Sequence, residues 1–280
     1  MPDQNQNGPI SYNMAPYSGP WTKVEAGHLL RRTLFGPTNQ QMLTAVTDGM
    51  ATTVTNLLQI PAMAEPVAFH PDEAVTAFGN SWVNDVFPSV AAQVTTTANA
   101  RNFSLGVWLM KGINEEQFDI SQKMCLFWHN HFAVTAVADP RATYDYFALI
   151  RQFALGNFRQ FVKDMTINPA MLLFLNGATN TLFSPNENYA RELLELYTVG
   201  KGPQIGPGDY TNYTEEDVAA GAKILTGYLV DGIGSDTLTD VTAVYTDVLH
   251  DSSTKTLSAH FGNATISNNM GNEYADYIDV

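Results

Sequence analysis

The segment LFWHNHF, residues 126–132, places two histidines, His129 and His131, on either side of one asparagine. Imidazole nitrogens bind metal ions and transfer protons near neutral pH, so this segment could hold a metal ion or a general acid and base. Two positions along an α-helix correspond to about 200° of rotation, which prevents both rings from binding one ion while the helix continues. A shared ion therefore requires the helix to end near Trp128, since an extended segment would place both rings on one side.

The same histidines could instead be structural. Helical spacing places His131 on an apolar seam with Met124 and Phe127, while His129 points elsewhere. Cys125 lies four residues before His129 and could face it as a thiolate beside its base. The apolar residues on both sides of Cys125 favour a small core residue. The segment alone leaves a metal site, an acid–base pair and a structural role open.

A second polar cluster lies in SPNENYARELLELYTVG, residues 184–200. Helical spacing places Glu192 and Glu195 one turn apart, so they could coordinate a cation or hold a carboxylate that transfers protons. Glu187 and Glu195 each lie four residues from Arg191, a spacing that favours ion pairs. The alternative is a solvated helix face crossed by salt bridges.

A third candidate is VLHDSSTK, where His250 and Asp251 are adjacent in a segment with loop-like composition. Loops carry functional residues more often than they carry cores, but a histidine next to an aspartate is a weak signal. The acids between Asp231 and Asp240 lack the spacing and the final glutamate of a calcium loop. They are predicted to form a solvated turn.

Composition excludes several classes of function. The formal net charge of −14 should repel phosphate backbones and anionic membranes, so nucleic acid is not an expected partner. No apolar run approaches the ~20 residues of a membrane span. Cys125 is the only cysteine, which excludes an intrachain disulfide and a zinc site of several thiolates. The first twenty residues lack the basic and apolar regions of a secretory signal.

The elements that must position these residues are mostly helices. Apolar residues recur three and four apart through most of the chain, and the breakers FGPT and DG separate the first helices. Thr214 is predicted to cap the backbone N–H of Asp217 at the start of another helix. Beyond Tyr228, a segment rich in Thr, Val, Asp and Gly predicts loops with a short strand or hairpin. The fold class is therefore mainly α, an irregular multi-helix bundle with a loop-rich C-terminal part.

We divide the chain into an extended N-terminal arm, residues 1–20, a helical domain, residues 21–228, and a loop-rich extension, residues 229–280. The extension could belong to the same domain. The arm contains Tyr12 and Tyr17, which could pack on the body or on a neighbouring subunit, so a homo-oligomer formed through the arm is one expectation.

The motifs taken together resemble a known family, the bacterial domain of unknown function 1800, which is often exported and is frequent in Bacteroidetes. The resemblance rests on strings that follow in the family's order: HLLRRTLFGPT, QKMCLFWHNHF, ALGNFRQF, NPAMLLFLN, PNENYARELLELYTVG, YTEEDVAAGAKILTGY and HDSSTK. It runs from His28 to Lys255 and implies a mostly helical fold, but no established activity or cofactor. Relatives are usually longer and often carry a leader. We therefore expect either a truncated chain or one that is completed by something else, and either an exported protein whose leader has been removed or a cytoplasmic one.

The resemblance also selects among the candidates, since its strings fall on the three polar clusters. Our prediction places Glu192, Glu195 and Arg191 in a catalytic group, with Arg191 orienting the glutamates. The predicted metal ligands are His129, His131, Glu187, His250 and Asp251.

Two functions follow as expectations. The first is a metal-assisted hydrolase or oxidoreductase that acts on an extracellular polysaccharide or a small molecule, with a divalent cation as cofactor. The second is a non-catalytic adhesive, scaffolding or glycan-binding module, in which the polar clusters fix helix packing. An enzyme that uses Cys125 is a third, weaker reading.

Overall fold

The structure is a computed structural model that describes residues 15–135 and 137–280. It is mainly α, as the sequence predicts. The helices of these residues are α1 Lys23–Thr33, α2 Asn39–Asp48, α3 Met50–Leu57, α4 Ala91–Asn114, α5 Ser121–Phe132, α6 Pro140–Gln152, α7 Phe158–Thr166, α8 Pro169–Phe174, α9 Asn188–Glu192, α10 Glu215–Ile224 and α11 Glu273–Asp279. A π-helical turn, Leu193–Tyr197, continues α9.

Three antiparallel hairpins accompany the helices. They are formed by β1 Gln204–Gly206 with β2 Asp209–Tyr210, β3 Tyr228–Asp231 with β4 Thr242–Tyr245, and β5 Lys255–Thr256 with β6 Thr265–Ile266. The β3–β4 hairpin lies where the sequence predicts a strand or hairpin, beyond Tyr228. The sequence predicts neither the β1–β2 hairpin nor α11.

Capping side chains explain where several helices begin. The Thr214 side chain accepts a hydrogen bond from the backbone N–H of Asp217, and Asp217 accepts from the backbone N–H of Thr214. This reciprocal pair confirms the predicted cap of α10. The Thr22–Glu25 pair at α1 is equivalent, so the starts of these two helices are encoded locally.

The largest core combines helices with the C-terminal hairpins. Phe132 of α5, Phe161 of α7 and Val218 of α10 lie in the same buried cluster as Val241 and Tyr277. The predicted helical domain and the predicted C-terminal extension therefore share one core. A smaller cluster joins α1, α2 and α3.

Two buried arginines hold the segment before α4 against α4 and α6. Arg101 of α4 pairs with Glu73 at 2.9 Å and Arg141 of α6 pairs with Asp139 at 2.6 Å, and all four side chains are nearly inaccessible. Both guanidinium groups also lie near the ring of Phe87, at 4.7 and 4.9 Å from its centroid. Each buried charge thus has a carboxylate partner, as the cost of desolvation requires.

Two predictions about the chain's surface have different outcomes. Phe127 is 56% exposed, so the predicted apolar seam of α5 is wrong at this position; Trp128 and Phe132 face the core instead. In the predicted arm, Tyr12 lies outside the described residues, while Tyr17 is half exposed and donates to the carbonyl of Pro20.

Among the described residues, no helix is both long and apolar enough to span a membrane.

Candidate functional site

The α5 helix continues through both histidines of the HNH segment and ends at Phe132. The condition for a shared ion, a helix end near Trp128, is therefore not met, and the two rings leave the helix on different sides. His131 points its Nε2 at the backbone carbonyl of Tyr197, at 2.9 Å. This contact ties α5 to the π-helical turn, because a ring nitrogen that faces a carbonyl must donate.

The glutamates of the second cluster are held by local cations. Arg191 forms a bidentate pair with Glu215 of α10, at 2.9 and 2.7 Å, and also binds Glu187 at 2.9 Å. Glu195 accepts from Lys201 at 3.0 Å and from the Tyr213 hydroxyl at 2.9 Å. Burial opposes the effect of these donors, yet they hold the pKa of Glu195 below its ordinary value.

Arg191 therefore orients Glu187 and Glu215. The sequence prediction has it orient Glu192 and Glu195, and neither of these is among its closest contacts. Glu192 lies half-buried at the end of α9. Burial of Tyr197 raises the pKa of its hydroxyl to about 12, and the nearby charge of Glu192 adds to this effect. The chain passes from α-helix to π-helix between Glu192 and Glu195, so the two residues are not related by regular α-helical spacing. A π-turn inserts an extra residue, which changes the angle between neighbouring side chains.

His250 belongs to a buried charge cluster that the sequence does not predict. Its Nδ1 lies 2.9 Å from the carbonyl of Thr226, and its Nε2 lies 2.9 Å from Glu273 of α11. Glu273 also accepts from Lys255 at 2.9 Å, and all three side chains are at most 1% exposed. Both ring nitrogens of His250 thus have polar partners, and His250 and Lys255 share the carboxylate of Glu273. Asp251 contributes its backbone carbonyl to Lys255.

These contacts place the predicted metal ligands in separate neighbourhoods. His131 contacts Tyr197, Glu187 pairs with Arg191, and His250 is enclosed with Glu273. Within the part of the chain that the structure describes, no three His, Cys, Asp or Glu side chains form a group that could hold a metal ion. The geometry therefore gives no support to a metal centre built from His129, His131, Glu187, His250 and Asp251.

Cys125 packs partly buried against the core. Burial, only partly offset by Arg151, raises the pKa of its thiol to about 11. A thiol with such a pKa is protonated at neutral pH, which favours the small core residue over the nucleophile.

His129 differs from the other candidates because it lines an open cavity of about 380 Å³. The cavity lies between α4, the end of α5 and α6, and its mouth is formed by the exposed residues Asn130 and Thr135. Leu105, Leu109 and Phe147 form much of the apolar wall. The α5 helix stops here at Ala133, which adopts a left-handed conformation with φ 49°.

The polar groups of this cavity are uncharged. Asn102, His129, Asn130, Thr135 and Thr143 supply them, and no Asp, Glu, Lys or Arg is among the described residues that line the cavity. The Oδ1 atom of Asn102 is buried and has no hydrogen-bond partner among the described residues. Leaving a buried polar atom unpaired costs about 1–3 kcal/mol, and because solvent does not reach this atom, the groups that a ligand can reach are the accessible ones of the lining. We call this space the His129 cavity.

Sequence reasoning selects His129 but misses Asn102, which lines the cavity, and Tyr146, which contacts His129. Tyr146 is fully buried, and its hydroxyl lies 3.0 Å from His129 Nδ1. Asn102 lies within the long helical pattern of α4, where one asparagine carries no distinctive signal. Three separate chain segments form the cavity, and no spacing in the sequence brings them together.

A larger cavity of about 560 Å³ lies between residues 61–67 and the α4 and α5 helices, and it contains none of the predicted site residues. Its charged groups have protein partners: Glu116 accepts from the backbone N–H groups of Phe35 and Gly36, and Arg151 donates to the carbonyl of Pro61. Unlike the His129 cavity, it offers no buried side-chain atom that lacks a partner among the described residues. We therefore take the smaller cavity as the candidate site.

Comparison with known proteins agrees with the resemblance carried by the motifs. The family model described as a protein of unknown function (DUF1800) matches residues 28–280. No curated protein and no solved structure matches the chain. The match covers both the helices and the C-terminal hairpins, and it includes all three polar clusters. The chain belongs to the DUF1800 family.

Proposed function

We propose that this chain is a non-catalytic module that binds an uncharged, hydroxyl- and amide-bearing ligand, a glycan, in the His129 cavity. The observation that carries the proposal is an open cavity whose described lining residues combine uncharged polar side chains with apolar ones. A volume of about 380 Å³ lies within the range of ~300–1,000 Å³ that is usual for small-molecule sites.

The chemistry of the lining supports a glycan over a charged ligand. Phosphate, carboxylate and ammonium groups need charged or strongly oriented partners, and the described lining residues supply no charge. Amide and hydroxyl side chains such as Asn130, Thr135 and Thr143 can exchange hydrogen bonds with sugar hydroxyls. The ring of Phe147 offers an apolar surface for the carbon face of a sugar. The net charge of −14 also disfavours anionic ligands.

The partners of the family's polar strings support a structural role for them. Arg191 joins α9 to α10, His131 joins α5 to the π-turn, and His250 joins the segment after β4 to α11. Each contact links elements that are distant along the chain. Such links can explain why the family's motifs contain these polar residues without giving them a catalytic role. The metal-assisted hydrolase or oxidoreductase therefore has less support than the binding module.

Binding of the purified protein to an array of neutral glycans tests the proposal. The Asn102→Leu variant removes a polar side chain of the lining at nearly constant volume, and Asn56→Leu on the exposed face of α3 is the matched control. We expect the wild type and the control to bind the same subset of glycans, and Asn102→Leu to lose it while its thermal unfolding midpoint stays close to that of the wild type. Absence of wild-type binding across the array, or equal binding by Asn102→Leu, would overturn the proposal.

A further inference from the structure

The α4 helix presents a row of exposed apolar side chains to solvent. Phe103, Val107 and Met110 are 56%, 41% and 64% exposed, and their spacing of four and three residues places them on one face of the helix. An exposed asparagine lies about one turn beyond each end of this row, and an exposed glycine lies beside the valine. We call these residues together the α4 stripe: Asn99, Phe103, Gly106, Val107, Met110 and Asn114.

The α4 stripe carries no acid, although the chain as a whole is strongly acidic. Between Asn99 and Asn114 the one further exposed residue is Lys111, and no Asp or Glu occurs there, while the net charge of the chain is −14. Two copies of so acidic a chain repel each other, so they approach most readily through a surface without negative charge. Exposed apolar side chains that lie next to one another mark interaction sites. The stripe has both properties.

The α4 stripe is also complementary to itself when it is reversed. Its six positions are spaced by four, three, one, three and four residues, so the pattern is the same in both directions about a centre between Gly106 and Val107. A two-fold axis through this centre would place two α4 helices antiparallel and would make each contact occur twice. The pairs that face each other across the axis are Asn99 with Asn114, Phe103 with Met110, and Gly106 with Val107.

The outer pairs of this arrangement match in their chemistry. An asparagine amide both donates and accepts hydrogen bonds, so Asn99 can bond to Asn114 of a second copy. The thioether of Met110 packs favourably on an aromatic ring, and Phe103 supplies that ring. Each end of the stripe therefore meets a suitable partner in the other end.

The central pair gives a reason for the glycine within the 24-residue α4 helix. Glycine destabilises a helix interior relative to alanine. A Cβ at Gly106 would meet no heavy atom of a described residue within 4 Å beyond the backbone of its own helix, so the fold of one copy would accept a larger residue. A second α4 helix would use the gap, because helix axes approach more closely where side chains are small and the branched side chain of Val107 fills the notch.

We propose that the α4 stripe is the contact of a two-fold symmetric dimer, in which a second copy of this chain is the partner. Gly106 also lines the His129 cavity, so each copy contributes Val107 to the rim of the other copy's cavity. The stripe is ~22 Å long and about one helix diameter, ~10 Å, wide, which is well below the ~800 Å² per partner of a standard interface. The dimer is therefore weak and reversible. It does not depend on glycan binding, because no ligand takes part in the contact.

Sedimentation velocity of the full chain tests the dimer without any glycan. Between ~5 and ~300 µM protein, we expect the weight-average mass to rise from 30.7 kDa toward twice that value, with a dissociation constant of ~10–100 µM. Raising the NaCl concentration from ~50 to ~500 mM should lower the dissociation constant, since salt screens the repulsion between acidic copies and an apolar contact loses nothing. A constant mass of 30.7 kDa, or a dissociation constant that rises with salt as ion pairs require, would overturn the proposal.

A charged substitution locates the contact on α4. Val107→Glu places a carboxylate of each copy beside the axis, so we expect the dissociation constant to rise at least ~100-fold. Val54→Glu on α3 is the matched control, because Val54 is 38% exposed against 41% for Val107, and it should leave the dissociation constant unchanged. Circular dichroism and thermal unfolding establish that both variants are folded. Equal dissociation constants for the two variants would place the contact elsewhere, for example at the N-terminal arm, and the proposal would fail.

Oxidative cross-linking tests the antiparallel arrangement. Residue 107 lies next to the axis, so the thiols of Val107→Cys in two copies should form a disulfide under mild oxidation, whereas Val54→Cys should stay monomeric on a non-reducing gel. Cys125 competes poorly, because burial raises the pKa of its thiol to about 11. Failure of Val107→Cys to cross-link at a concentration where the wild type is dimeric would overturn the two-fold pairing of the helices.

Discussion

The buried cluster of His250, Lys255 and Glu273 supports a quantitative prediction about stability. Glu273 accepts from His250 at 2.9 Å, from Lys255 at 2.9 Å and from the backbone N–H of Asn269 at 3.2 Å. Glu273→Ala leaves the Lys255 ammonium and the His250 ring without their shared carboxylate, in a site where the side chains are at most 1% exposed. Breaking a buried ion pair by removing one partner typically costs ~3–5 kcal/mol, so we expect a loss of that size in the free energy of unfolding.

Urea-induced unfolding followed by circular dichroism measures this loss. Asp276→Ala is the matched control, because Asp276 lies on the same helix, α11, but is exposed, and it should change stability by no more than ~0.5 kcal/mol. Replacing all three charged residues by apolar ones, with Glu273→Leu, His250→Leu and Lys255→Met, should recover most of the loss, because it also removes the uncompensated charges. A cost below ~1 kcal/mol for Glu273→Ala would refute the reasoning, since the cations would then have another source of compensation.

Three further predictions concern other parts of the fold. Arg191→Lys keeps the charge but loses the bidentate geometry toward Glu215, so the free energy of unfolding should fall by ~0.5–1 kcal/mol. The control Arg32→Lys, on the exposed surface, should have no measurable effect. Equal free energies of unfolding for the two variants in urea titration would contradict a special role for the Arg191–Glu215 pair. Burial, together with Asp240, raises the pKa of Asp145 to about 6, so the folded state disfavours the ionised carboxylate. The resulting loss of stability is absent below the pKa of the unfolded chain, near ~4, grows as the pH rises to ~6 and is constant above that. Asp145→Asn should therefore stabilise the protein by up to ~2 kcal/mol at pH ~8 and by almost nothing at pH ~4, and a gain of the same size at both pH values would show that the carboxylate is not the cause. Ala133→Gly should raise the thermal unfolding midpoint, since φ 49° costs alanine about 1 kcal/mol more than glycine. An unchanged or lower midpoint would mean that the larger conformational entropy that glycine loses on folding outweighs this relief.

The sequence predicts the helical body well because its signals are local. Apolar periodicity and capping residues such as Thr214 act within a few positions, so α1 to α8 and α10 can be read from short windows. The α11 helix is missed because its seven residues follow a segment rich in Asn and Gly and are too short for periodicity to emerge. The π-turn after Glu192 is missed for a related reason, since a shift from α to π geometry has no distinct residue pattern.

The candidate site is predicted only in part, because its residues meet through tertiary packing. The sequence identifies His129 as a residue with chemistry, but the identity of its partner, Tyr146, depends on how α6 packs against α5. Glu273 lies 23 residues beyond His250, and nothing in either segment indicates that the two side chains meet. Glu215 lies in the first turn of α10, and no spacing in the sequence indicates that its carboxylate binds Arg191. Motif reasoning therefore finds which segments matter more readily than which side chains interact.

The ring of Phe87 has a consequence for how the His129 cavity responds to its ligand. Arg101 and Arg141 both reach this ring, and both donate to the backbone carbonyl of Asp85, at 3.1 and 3.4 Å. One short loop thereby clamps the two helices that form opposite parts of the cavity. A ligand that binds here would therefore meet walls that are already held in place, would order little of the protein, and would be selected by its fit to a preformed shape.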